Sequence, residues 1–266
     1  MGKLVSFWSP YAGHGKVTSS LCAVLGGFML RYPELSMAVS YIQKESVTLL
    51  KKLDNDAAFW NDKGWLDMFG VDTLKMYERQ NTVRLDSIRR CGLSISGKKL
   101  YFYPNSSWNE KEDTLTFKIL TEQLKKEFDI VFLDLESGKK SKSLQYMAES
   151  DYVVIVLPQD PMYVDIFWQE QEAYLRDTNY GIVFGGCFLK SQYRSIYYKR
   201  LYGKKMNNKI LGEIPWNADF FNAMSVGKTM DFFFRNYAPV KKEENYEFIM
   251  QVKKTTERLQ KNIICS

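Results

Sequence analysis

The chain has little of what staples or ligates a protein. Its cysteines, Cys22, Cys91, Cys187 and Cys265, are scattered singly, with no C-x-x-C pair and no zinc spacing. They predict reduced, mostly buried thiols in a cytoplasmic protein. Glycine and proline stay at ordinary levels while apolar residues make up 45% of the chain, which excludes a disordered or low-complexity chain. Long hydrophobic runs are missing too: the longest, Leu21 to Leu30, is far too short to span a bilayer. Met1-Gly2-Lys3 leads straight into a strand-like segment, so no signal peptide is expected. The rest of a myristoylation pattern is lacking as well. The net charge of +6 favours an acidic partner only weakly.

What is present is an alternation of strand-like and helix-like segments. Apolar runs at Leu4–Trp8, Met37–Ile42, Leu100–Tyr103, Ile130–Leu133, Tyr152–Leu157, Gly181–Phe184 and Ile210–Ile214 are continuous rather than alternating, as in strands buried on both faces. Helical stretches lie between them, near 16–31, 113–128 and from Val164 on. Right-handed crossovers and a mainly parallel sheet follow. The expected fold class is a doubly wound α/β protein with helices on both faces, one domain over residues 1–266. A terminal helix at about 241–263 should pack on the sheet through Tyr246, Ile249, Met250, Leu259 and Ile263.

The first strand runs into Ser9-Pro10-Tyr11-Ala12-Gly13-His14-Gly15-Lys16-Val17-Thr18. A glycine-bearing turn between strand and helix presents backbone N–H groups to an anion. The helix N-terminus adds partial positive charge, and a lysine there reaches terminal phosphates. The general phosphate-loop pattern G-x-x-x-x-G-K-[ST] is met in part, with Pro10 at its first glycine and Val17 at its last position.

In its place in the chain this segment resembles the variant phosphate loop of the MinD/ParA family of P-loop ATPases, matching it at Ser9, Gly13, Gly15, Lys16 and Thr18. Phe128 to Gly138 resembles the strand of that family ending in an Asp near magnesium, here Asp134. Ser150 to Pro158 resembles the next strand. Ile210 to Pro215 resembles the closing strand, and Ala223 to Gly227 the start of the helix after it. The resemblance spans nearly the whole chain in order. It implies a P-loop NTPase fold, ATP or ADP as ligand, magnesium as cofactor, and a homodimer.

The departures fall on chemistry. The family's lysine that crosses the dimer interface to the partner's nucleotide is here Tyr11. The magnesium-ligating hydroxyl is replaced by Val17, and Thr18, about 100° further round the helix, should not substitute without a register shift. The second strand, Met37 to Gln43, ends without the family's water-orienting Asp, and no carboxylate comes before Glu45. Fast hydrolysis is not expected, so whether the chain is an enzyme stays open. Were the rest of the site intact, Val17→Thr should raise turnover.

The candidate nucleotide-binding residues are therefore Gly13, His14, Gly15, Lys16, Val17 and Thr18, with Pro215 and Trp216 where the family's adenine would sit. Asp134 and Thr18 are the candidate metal residues. No catalytic residue is assigned: His14 reads as a bystander, and Glu136 and Asp160 have no companion group at a defined spacing. Gly185-Gly186 marks either a close backbone approach or a strand end. Lys190 to Lys209 interleaves basic residues with Tyr193, Tyr197, Tyr198 and Tyr202. It is either a nucleic-acid or anionic-membrane surface, or a solvated face with its tyrosines turned inward. The function expected is a positioning or assembly protein with weak or no hydrolysis, in the style of the TadZ/CpaE branch, serving a localisation or secretion/pilus machinery. An active slow Mg-ATPase and a non-catalytic surface binder are the alternatives.

Overall fold

The computed structural model describes residues 1–42, 47–54, 69–80, 82, 84–97, 99–105, 113–175 and 177–265. Gln43 and Glu45, on which the reading of the second strand's end partly rests, lie outside them. Among the described residues, eight strands form one sheet: β1 (Lys3–Trp8), β2 (Met37–Ile42), β3 (Leu93–Ser94), β4 (Leu100–Phe102), β5 (Ile130–Leu135), β6 (Tyr152–Leu157), β7 (Tyr180–Cys187) and β8 (Ile210–Pro215). Their order is β3-β4-β2-β5-β1-β6-β7-β8. Every neighbouring pair is parallel except β3 and β4. This is the doubly wound α/β fold expected. β3 escaped the sequence reading because two paired residues show no periodicity.

The strands bury both faces, and alternate residues divide between two cores. Val5, Phe7, Val39, Phe132, Val154 and Val156 face one side; Leu4, Ala38, Val131, Leu133, Val153 and Ile155 face the other. Each Val, Leu, Ile or Phe among them contributes about 1.5–3 kcal/mol on burial. The continuous apolar runs are therefore two interleaved alternating sets.

Among the described residues the helices are α1 (Val17–Arg31), α2 (Val47–Leu53), α3 (Val71–Arg79), α4 (Leu85–Arg90), α5 (Asp113–Lys118, extended to residue 127 through a π turn), α6 (Ser141–Glu149), α7 (Pro161–Ile166, extended to residue 175), α8 (Ser195–Tyr202), α9 (Lys204–Asn207), α10 (Ala218–Ser225), α11 (Thr229–Arg235) and α12 (Tyr246–Cys265). α1 is buried almost all round. Phe28 meets Phe132 of β5 edge to face at 5.4 Å, and α10, α11 and α12 pack on the same side. The terminal helix starts at Tyr246, later than expected, and docks through Ile249, Leu259 and Ile263, while Met250 is exposed.

Ala223 to Gly227 do not start a helix. Ala223 lies near the end of α10, and Gly227, at φ 70°, turns the chain toward α11. The helix after β8 starts instead at Ala218, capped by Asn217, whose side chain accepts the Phe220 N–H at 2.7 Å. Among the described residues no helix is long and apolar enough to cross a membrane.

Candidate functional site

β1 lies between β5 and β6, and the chain winds away from it in opposite directions. In such sheets the crevice at the carboxyl ends of the strands, where the order reverses, is where ligands bind. The turn from β1 into α1 lies there. Beside it is a cleft of about 510 Å³, whose lining includes Gly13, Lys16, Val17, Thr18, Glu136 and Lys140.

The loop is held from three directions. The Ser9 carbonyl accepts the Gly138 N–H at 2.9 Å, and Trp8 Nε1 donates to the Gly138 carbonyl at 3.1 Å. Ser9 Oγ accepts the Tyr11 N–H at 3.2 Å. From below, β7 comes so close that a Cβ on Gly185 would sit 2.5 Å from the Gly15 carbonyl oxygen and 2.8 Å from Ser20 Oγ. Gly185 is therefore a close approach of β7 to the phosphate loop, not only a strand end.

Lys16 adopts φ 57° and ψ 41° at the N-cap of α1. This left-handed conformation costs a non-glycine residue about 1–2 kcal/mol. No side chain caps α1, and its first turn carries no acidic residue. The N–H groups of that turn, which have no intrahelical acceptor, are left to whatever fills the cleft. A strained cation at a bare helix N-terminus is costly in isolation. A bound phosphate offsets both the exposed donors and the misplaced charge.

Val17 and Thr18 divide differently from the sequence expectation. Val17 joins the core beneath the loop, 6% exposed. Thr18 does reach the acidic strand end: its Oγ1 donates to Asp134 Oδ2 at 2.7 Å. The left-handed turn at Lys16 sets the start of α1, and counting from the lysine alone misplaces the hydroxyl. Asp134 is placed by strand register, opposite Phe7 of β1 and Tyr41 of β2, and is nearly inaccessible. A hydroxyl and a carboxylate side by side are hard oxygen donors of the kind magnesium takes beside substrate phosphate, so the residues present fit that ion.

Tyr11 turns away from the cleft. Its hydroxyl donates to the Tyr163 carbonyl at 2.6 Å, and the two rings lie 4.7 Å apart. Burial, with Glu170 and Tyr163 adding to it, pushes the Tyr11 phenol up to about 12. The exposed His14 ring lies 5.1 Å from that of Tyr163. Asp160 caps α7, accepting the Met162 N–H at 2.9 Å.

Pro215 and Trp216 stand outside the lining of the cleft. Pro215 ends β8, and Trp216, half exposed, stacks on Phe221 at 5.6 Å. The tyrosines of the basic stretch pack inward: Tyr198 is fully buried against Phe184 at 5.0 Å, and Tyr193, Tyr197 and Tyr202 rest on the same core. One of its cations, Lys199, lies near Arg258 and Lys254 of α12, and burial together with these charges lowers its amino group. Lys140 was missed by sequence reasoning. The signal was Lys139-Lys140 just beyond the acidic strand, at the same carboxyl edge as the loop.

No protein-family model and no curated protein sequence matches the chain. Solved structures do. A ParA family ATPase from Chlorobium tepidum superposes with TM-score 0.67 at 12% identity, over 97% of this chain and 99% of that one. The septum site-determining protein MinD of Pyrococcus horikoshii, complexed with Mg-ADP, gives 0.64 at 13% over 98% and 97%. A putative plasmid partition protein of Borrelia burgdorferi, bound to AMPPNP, gives 0.62 at 15% over 98% and 99%. The chain has the fold of the MinD/ParA P-loop NTPases.

Proposed function

We propose that the protein binds ATP or ADP in the cleft at Lys16 and acts as a positioning or assembly protein, with slow or no hydrolysis. The observation that carries this reading is Lys16 itself. A lysine held in a left-handed conformation at an uncapped helix N-terminus, over a cleft at the switch point of the sheet, has a physical rationale when phosphate is present. The nucleotides bound by the Borrelia and Pyrococcus structures support the same ligand class.

We infer slow turnover because Tyr11 turns away and brings no charge to the cleft, and the described residues of β2 end in Tyr41 and Ile42 without a carboxylate that could orient water. The protein would then act by nucleotide-dependent dimerisation and contacts with a protein partner, such as a localisation or secretion/pilus apparatus of the TadZ/CpaE kind. Calorimetric titration of ATP into wild type and Lys16→Ala tests the reading. Saturable binding lost in the variant supports it, and no binding by the folded wild type sinks it.

A second reading, a slow magnesium-dependent ATPase switch, is favoured by the contact between Thr18 and Asp134. These residues would hold the ion, which would neutralise phosphate charge. Magnesium-dependent phosphate release, abolished by Lys16→Ala, would select it. Binding of nucleic acid or anionic membrane through residues 190–209 would use charge alone, because the tyrosines pack inward. It would show as steep salt dependence.

A further inference from the structure

Lys140 lines the same cleft as Lys16. It occupies the N-cap position of α6, which has no capping side chain and no acidic residue in its first turn. Two helices thus open at this cleft with a lysine where a carboxylate or hydroxyl would be favoured. The acidic counter-charge in the lining is Glu136, whose Oε1 is 3.8 Å from the Lys140 ammonium. Both side chains of that pair are well exposed, so it holds Lys140 weakly. On the other side of the loop, Tyr11 is bound to the Tyr163 carbonyl and adds no charge. Among the described residues the cleft therefore has two cations from one chain, one strained by the loop and one loosely paired.

We propose that Lys140 is the second phosphate-binding cation of this cleft and takes the distal phosphate of a nucleoside triphosphate. This rests on the reading of the cleft as a nucleotide site. Lys140 exchanges Glu136 for the phosphate when the triphosphate enters. Glu136 then selects against weakly charged ligands, since a monophosphate bound at Lys16 alone leaves the pair in place. The site discriminates by charge and length, ATP over ADP, without a cation from a second subunit.

Titration calorimetry of the full chain with ATP and ADP, in magnesium and in EDTA, tests this on wild type, Lys140→Ala, Lys140→Arg, Glu136→Gln and Lys16→Ala. Lys140→Ala is expected to weaken ATP by about tenfold and ADP much less, narrowing their affinity ratio. Lys140→Arg should restore most of that ratio, and Glu136→Gln should tighten ATP. Wild-type ATP affinity in Lys140→Ala, with binding lost in Lys16→Ala, overturns the assignment and leaves the nucleotide reading intact. So does an equal loss for ATP and ADP. No binding by folded wild type overturns both.

Discussion

The Tyr11 hydroxyl donates to the backbone carbonyl of Tyr163 at 2.6 Å, which fastens the phosphate loop to the start of α7 in the same chain. A residue so fastened cannot reach across to another molecule without breaking this bond. Tyr11→Phe removes it and leaves the rings packed. A loss of about 1 kcal/mol in chemical denaturation is expected, with ATP binding kept.

The same phenol gives a pH dependence with a definite sign. Its value rises from 10.0 to about 12 in the folded chain, so the unfolded chain releases this proton first as pH rises. The stabilisation is complete below pH 10 and is lost as pH climbs toward 12. Denaturation midpoints followed over that range should fall less steeply in Tyr11→Phe than in wild type. Parallel curves would count against it.

Lys16→Gly should separate strain from binding. Glycine adopts the left-handed conformation freely, so this variant is expected to gain about 1 kcal/mol in thermal or chemical denaturation while losing ATP binding. A destabilised variant would mean that the lysine side chain supports the fold.

Val17 and Thr18 exchange the parts that counting along the loop assigns them. Val17 is in the core, so Val17→Thr should bury a hydroxyl at a cost of about 1–3 kcal/mol and bring no gain in phosphate release. Thr18→Val should instead abolish any effect of magnesium on ATP affinity, because it removes the oxygen beside Asp134. Calorimetry with and without the ion checks both.

Glu213 of β8 is 2% exposed and accepts from Arg194 at 2.6 Å and from the Ser195 N–H at 2.6 Å. Burial would raise its carboxyl, but Arg194 and Ser195 together hold it below the usual range. Its stabilisation is therefore present above the ordinary glutamate value and lost as pH falls through the depressed folded one. Arg194→Met should cost about 3 kcal/mol at neutral pH, and much less in acid. An equal loss at both would assign the effect to packing.

The seven longer strands, their parallel winding and the place of the glycine-bearing turn between β1 and α1 were legible in the sequence. A strand buried on both faces is apolar except where a polar side chain finds a partner, as Asp134 and Glu213 do, and a tight turn from strand into helix needs glycine. These are local demands, so they leave a local record. Which side chains meet in the cleft left little record beyond the Lys139-Lys140 pair. Thr18 reaches Asp134 because one backbone turn at Lys16 rotates the start of α1. Tyr11 turns to Tyr163 because α7 packs beside the loop, and Gly185 lies under Gly15 because β7 passes there. Lys140 joins Lys16 because β1 and β5 are neighbours in the sheet though far apart in the chain. Strand register and helix entry angles are set by the whole packed core, and only the tertiary structure decided them.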